Sequence, residues 1–383
     1  MDSGFGITVH AGASGRGEGS LGDAFLDGVM EKVVAGVRVT EAEAEQLYGV
    51  DDINALGRIA NVVRERKNGN VATWIPNVYV NYSNVCVLSC QFCAFGAKKR
   101  DAHAFEHSIS EMVAKVEEAV ADGAREVHMV GGLHPTLPES WYLELVGALR
   151  AISPDLFIKA FTAIEIRHLA KRVFKRTIRE TLECLRDAGL GALTGGGAEI
   201  FDGEVRDRLC RGKETAEEWL EVHREWHGMG MRSTATMLYG HIETRAQRVD
   251  HLRQLRALQD ETGGFTAFIP FAFVPETTDM AHIRPVGAVE ELRNLAVSRI
   301  YLDNFDHLTA YWISLGLPLA AMALSYGVDD LHGTIREERI FHMAGAKTPV
   351  GQTRSAFERA IREAGREPRQ RDTWYRLVPE AVA

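Results

Sequence analysis

The stretch WIPNVYVNYSNVCVLSCQFCAFG, residues 74–96, holds the two patterns from which the fold is read. Its first half alternates. Asn77, Tyr79, Asn81 and Ser83 share one parity while Val78 and Val80 take the other, which predicts a strand near 75–82 with one polar and one apolar face. Strands of a parallel sheet are normally buried on both sides, so a polar face points to a lumen that holds a ligand. Its second half leaves the strand for a loop that carries Cys86, Cys90 and Cys93. The chain has 5 cysteines, and this grouping suits a thiolate site in a reducing compartment better than a disulfide scaffold. Cys184 and Cys210 stand apart from it.

Working outward, short strand patterns alternate with longer helical ones from Trp74 onward, each junction marked by Gly or Pro. Strands are expected near 75–82, 126–130, 156–161, 191–194, 232–238, 265–270 and 299–303, with an eighth near 308–313. Helices carry their own start signals: Thr40 with Glu43, Ser108 with Glu111 before an apolar face that stops at Gly123, and a further run from Thr244 to Gly263. Seven or eight such units, with no phosphate-binding glycine turn after the first strand, predict an α/β fold of the (β/α) TIM-type barrel kind rather than an open doubly wound sheet.

The division expected is a loose leader at 1–22, a helical segment at 23–73, the barrel at 74–350 and a helical C-terminal extension at 351–383. Of 383 residues 45% are hydrophobic and 25% charged, enough apolar material for a large core. A net charge of -9 gives no positive field for nucleic acid or an anionic membrane. No apolar run reaches the roughly 20 residues that span a bilayer, and the expected location is the cytoplasm.

Three cysteines on a loop can wrap a small iron-sulfur cube so that each binds a different iron and the fourth iron stays open to a substrate. Closed zinc needs four ligands; His103 and His107 lie downstream of the loop as the alternative completion. At Cys86-x3-Cys90-x-Phe92-Cys93 the chain resembles the radical S-adenosylmethionine (SAM) superfamily, whose signature is C-x3-C-x-aromatic-C. The resemblance implies a [4Fe-4S] cluster on these cysteines, SAM on the open iron, and a one-electron reductant such as flavodoxin or ferredoxin. It also implies SAM contacts from Phe92, from the backbone of Gly131 and Gly132 (with Leu133 where an acidic residue is usual), from Glu199, and from the Met237-Leu238-Tyr239 strand end. Lys213 or Arg211 is placed to meet the SAM carboxylate. Each has a plainer reading beside it: a tight turn for the glycines, a helix N-terminal charge for Glu199, core for Met237 and Tyr239, a solvated charge for the cations.

Taken together, VGGLHP (130–135), IKAFTAIEI (158–166), GGGAEIF (195–201), MLYGHIE (237–243), QDETGGFTAFIPFAF (259–273), AVSRIYLDN (296–304) and DDLHGTIREERI (329–340) are similar to the aminodeoxyfutalosine synthases of menaquinone biosynthesis. Thr194, where proline is expected, and the basic stretch 171–180 depart from that pattern. The resemblance implies that the 5'-deoxyadenosyl radical adds to 3-[(1-carboxyvinyl)oxy]benzoate, a small anionic aromatic substrate, with rearrangement and decarboxylation, SAM being consumed. The related cyclic dehypoxanthine futalosine and deazaflavin-forming synthases, which abstract hydrogen instead, are the second reading; a non-catalytic iron-sulfur or zinc protein is the third. Asn81, His134, Lys159 and His241 are the expected substrate contacts, from their places at strand ends. Lys159, flanked by Phe157, Ile158, Ala160 and Phe161, must meet a carboxylate or reach the rim, and a structural ion pair is the competing role.

Overall fold

The computed structural model describes residues 21–379, so nearly all of the expected leader lies outside the described residues. Seven parallel strands form one curled sheet: β2 (Asn77–Val80), β3 (Glu126–Met129), β4 (Phe157–Ala160), β5 (Ala192–Leu193), β6 (Arg232–Tyr239), β7 (Phe265–Ala272) and β8 (His307–Leu308), hydrogen-bonded in that order. A second, parallel sheet sets β1 (Val71–Ile75) between β9 (Asp330–Gly333) and β10 (Glu367–Gln370). The expected first strand is thus two. Pro76 has no amide hydrogen to continue a ladder, and at that residue the chain changes partners, from β9 and β10 to β3.

The arc's free edge meets this small sheet through a parallel bridge between Thr309 and Asp330. The Asp330 carboxylate collects Thr309 Oγ1 at 2.9 Å, Thr73 Oγ1 at 2.8 Å and Arg371 Nε at 2.6 Å, all buried. One carboxylate therefore joins the last barrel strand, β1 and the C-terminal extension. Outside that contact, the extension contributes the helix Arg354–Glu363 and β10, so it is not purely helical.

Three helices, Ala24–Ala35, Glu41–Leu47 and Ile53–Asn68, precede the sheet. The capping boxes at Thr40/Glu43, Ser108/Glu111 and Thr244/Gln247 all form, and Gly263 takes the left-handed conformation after the helix Arg245–Thr262. The strand expected at 299–303 is instead the last turn of the helix Ala288–Tyr301, and the seventh barrel strand follows at His307. That helix is wedged against Ile53–Asn68 and buries Leu295, Ala296, Val297, Ile300 and Tyr301 in succession. Burial on nearly all sides erases its 3.6-residue period, which makes a short apolar run read as a strand.

The interior holds His128, His223, His227, His251 and His332, whose pKa values burial lowers below the ordinary 6.5, to about 3 for His227 and His251. Below pH 6.5 the unfolded chain takes up protons that the folded chain refuses, so stability falls as pH falls, by about 1.4 kcal/mol per pH unit for each such histidine. Glu165 and Glu291, raised by burial to about 6 and about 7, act in the opposite sense and are outnumbered. The denaturant midpoint is expected to drop between about pH 7 and about pH 5. The fall should be shallower by one proton's share in His251→Gln, and a flat profile would contradict this account.

Candidate active site

The loop that leaves β2 folds back over the barrel's C-terminal rim. Its backbone is fixed at both ends: Cys86 N donates to Ala97 O at 2.9 Å, Val87 N to Leu133 O at 3.1 Å, and Lys98 Nζ donates to Cys86 O and Leu88 O at 3.1 and 2.7 Å. Cys86, Cys90 and Cys93 all face one cavity of about 270 Å³ that runs from this loop into the barrel. Two backbone amides point at their sulfurs, Leu133 N at Cys86 Sγ (3.4 Å) and Gly96 N at Cys93 Sγ (3.3 Å).

These residues fit an iron-sulfur cluster held by three thiolates. Amide-to-sulfur bonds of this kind are what stabilise cluster thiolates and tune their potential. Burial pushes the Cys90 thiol up to about 12 against the pull of the Lys213 ammonium, so a bound metal must supply the energy that deprotonates it. Among the described residues no three His, Cys, Asp or Glu side chains converge on a point where one ion would sit. His103 is exposed, and His107 lies by Glu111 and Arg339 rather than by the sulfurs. A closed zinc site therefore lacks its ligands, whereas sulfurs spread around a cube need not converge.

The glycines after β3 are required by packing. A Cβ on Gly131 would lie 2.4 Å from the Tyr82 ring, and one on Gly132 2.4 Å from Val85 O, so the strand end presses directly on the cysteine loop. Glu165, which sequence reasoning passed over, locks this contact. Its Oε1 accepts from Tyr82 Oη (2.8 Å) and Gly131 N (3.0 Å), and its Oε2 from Thr162 N and Oγ1 (both 2.8 Å). The signal was present as a capping box, Thr162 with Glu165, inside AFTAIE. Across the cavity, Glu199 pairs with Lys213 and holds a left-handed backbone at φ 47°. Burial lowers Lys213, but Glu199, Glu214 and the cysteines outweigh it and leave its pKa above the ordinary value. Its ammonium lies 5.4 Å from the centre of the Phe92 ring. Lys213 is the one Lys or Arg among the described residues lining the cavity; Arg211 is exposed.

Of the expected contacts, Phe92, Gly131, Gly132 and Glu199 line the cavity. Met237 and Tyr239 do not: in β6 the residues of opposite parity, Thr234, Thr236 and Leu238, face inward. The four residues expected to contact substrate are not among those lining the cavity, and each has partners within the protein. Asn81 Nδ2 donates to Val130 O at 2.9 Å. His134 Nδ1 accepts from Thr136 N and Leu137 N, which leaves Nε2 to donate to Glu106 at 2.9 Å. His241 is held by Glu243 and by Leu238 O. Lys159 lies 4.0 Å from Glu126 in the barrel interior, the structural ion pair of the competing reading. Burial lowers the Lys159 pKa and Glu126 holds it up. Tyr79, His128, Tyr311 and His332 line the deeper part of the cavity.

Residues 80–255 match the Radical SAM superfamily, and residues 262–382 match the CofH/MqnC C-terminal region. The chain is 45% identical over 356 residues to aminodeoxyfutalosine synthase of Thermus thermophilus, covering 91% of this chain and 95% of that protein. The chain belongs to the radical SAM superfamily. Within it, another relative is the 5-amino-6-(D-ribitylamino)uracil--L-tyrosine 4-hydroxyphenyl transferase of Methanoculleus marisnigri, 41% identical over 92% of this chain and 97% of that one. The fold of this radical SAM protein is also that of methylornithine synthase, with a TM-score of 0.71 at 18% identity, covering 89% of this chain and 97% of the other. Superfamily membership implies a [4Fe-4S] cluster and SAM.

Cys90→Ala is expected to lower bound iron well below about four per chain after anaerobic reconstitution, whereas Cys184→Ala keeps it. Cys184 is held by Arg176 outside the cavity. Iron assay and the cluster's EPR signal check this; full iron in Cys90→Ala would overturn the ligand assignment.

Proposed function

We infer that this chain is an aminodeoxyfutalosine synthase, a radical SAM enzyme that forms a C–C bond between the adenosyl group of SAM and 3-[(1-carboxyvinyl)oxy]benzoate in menaquinone biosynthesis. The observation that carries the reading is the 45% identity to a synthase of that name over nearly the full length of both chains. The sequence blocks GLHP, KAFTA and YGHIE agree with it, and so does a cavity whose inner walls are aromatic.

When bound, the cluster and SAM supply the 5'-deoxyadenosyl radical that adds to the vinyl carbon of the substrate. The residues of this chain have two tasks. Cys86, Cys90 and Cys93 would hold the cluster, and Lys213 with Glu199 would receive the charged methionine end of SAM. Phe92, Leu238 and Phe273 would shield the reacting atoms, since a primary radical that meets water or a stray C–H bond is lost. The enclosed cavity would also hold the alkene against the adenosyl carbon, the positioning on which an addition between two bound partners depends. Loss of CO2 removes the enolpyruvyl carboxylate, so the ring carboxylate is the one that persists from substrate to product. A one-electron reductant such as flavodoxin or ferredoxin would serve the cluster, and its thiolates suit the reducing cytoplasm.

Incubation of the reconstituted enzyme with SAM, a strong one-electron reductant and the enolpyruvyl ether of 3-hydroxybenzoate is expected to give one product that contains the intact adenosyl carbons. Mass analysis with adenosyl-labelled SAM decides. Release of 5'-deoxyadenosine with no labelled adduct would favour the hydrogen-abstracting relatives and sink the reading.

A further inference from the structure

Below the rim that carries the cysteine loop, the cavity ends in an aromatic chamber. Tyr79 stacks on His128 with ring centres 4.3 Å apart, and Tyr311 meets His332 edge-on at 5.2 Å. Phe271 and Phe341 close the wall, 4.9 and 5.2 Å from the Tyr311 ring. Four of these six rings bear a polar atom, and that polarity is not fully used within the protein. The Nδ1 atoms of His128 and His332 have no hydrogen-bond partner among the described residues, although His332 is 2% exposed. A buried polar atom left unpaired costs on the order of 1–3 kcal/mol, so two such atoms on rings that line one chamber mark a place where a polar group is drawn in.

The polar contact of the His332 ring lies on its Nε2 side. Tyr79 Oη lies 3.5 Å from His332 Nε2. A carboxylate brought against Nδ1 would select the tautomer with its hydrogen there and Tyr79 Oη donating to Nε2. His332 holds a left-handed backbone at φ 68°, a conformation costing on the order of 1 kcal/mol outside glycine, and its amide is tied to Asp330 at 2.9 Å. The ring is therefore aimed by the fold rather than left to a free rotamer. Glu338 is the acidic side chain nearby, and it is already used by Phe341 N, His342 N and His342 Nδ1.

We propose that this chamber seats the carboxyl-bearing aromatic ring of the substrate, with His332 Nδ1–H donating to the ring carboxylate and so selecting substrates that carry it. The inference rests on the synthase reading above and adds to it the residue that recognises the half of the substrate that is not lost. His128 lies beside the same carboxylate and Phe271 against the ring face. Lys159, 4.0 Å from Glu126, is not among the residues lining the chamber.

The test is equilibrium binding to the cluster-reconstituted enzyme without reductant, so that no turnover occurs. Two probes are compared: 3-[(1-carboxyvinyl)oxy]benzoate and the same ether without its ring carboxylate. The wild type is expected to prefer the first by at least about tenfold, the usual worth of a hydrogen bond to a charged group. His332→Asn and His332→Asp tolerate the left-handed backbone equally and differ in what they offer. Asn keeps a donor near the place of Nδ1 and should retain most of the preference; Asp brings a like charge and should abolish or invert it, with SAM binding and iron content unchanged. Phe271→Leu should weaken both probes alike. Equal preference in His332→Asp and the wild type would overturn the assignment while leaving the function standing. A wild type that binds neither probe would overturn the synthase reading itself, and this inference with it.

Discussion

The site depends on the close approach of bare backbone at two glycines. Gly131 and Gly132 let the end of β3 lie against Tyr82 and Val85 of the cysteine loop at a distance that no side chain tolerates. The Glu165 carboxylate then ties that strand end to Tyr82 and to the start of its own helix. Three successive strand ends are joined in this way, which anchors the loop bearing the thiols to the barrel beneath it. A cluster bound on a floppy loop would neither keep its corner open in one direction nor hold its cofactor over a fixed point in the lumen.

The charge distribution of the cavity follows from the same need for a dry interior. Lys213 is the single Lys or Arg among its described lining residues, and it is already matched by Glu199. Deeper down, Lys159 and Arg371 are neutralised by Glu126 and Asp330, and their field, together with burial, keeps His128 and His332 uncharged. An isolated charge there would cost several kcal/mol, whereas neutral imidazoles and hydroxyls offer hydrogen bonds at much lower desolvation cost. Recognition of an anion in such a place rests on directed N–H and O–H groups over a compensated ion pair.

How far the sequence foretold this depends on the kind of signal. The cysteine spacing and the capping boxes are local and fix local geometry, so the thiol loop and the helix starts were legible from the residues alone. The polar parity of the first strand pointed to a lumen, and of Asn77, Tyr79, Asn81 and Ser83 it is Tyr79 that lines the cavity. Parity would also have excluded Met237 and Tyr239 in favour of Leu238, had the inward phase of β6 been known, but phase is set by pairing with β5 and β7 and not by β6 itself. His134, Lys159 and His241 were reasonable from their places at strand ends. Each found an acidic partner, Glu106, Glu126 and Glu243, two of them close in sequence or on the next strand. His332 gave no local sign at all, since it enters the lumen from β9, a short strand whose place depends on pairing with β1 far away in the chain.

Backbone strain is one mark of the functional end of the barrel, although Lys175, Ile335 and Tyr375 carry it outside the cavity lining. Among the described non-glycine residues with positive φ, Glu199 and His332 line the cavity and Phe161 directly follows β4. Each conformation costs on the order of 1 kcal/mol or more, which a protein selected for stability alone would shed by substituting glycine or reshaping the turn. Glycine would relieve the strain but remove the side chain. At Glu199 that side chain is the partner of Lys213, and at Phe161 it packs edge-on to Tyr82, under the cysteine loop. The same argument applies to His332, where the surrounding hydrogen bonds fix the ring but leave one of its nitrogens unused. Strain kept where a side chain has complete internal bonding serves the fold, whereas strain kept at a ring with an unpaired nitrogen serves whatever comes to pair with it.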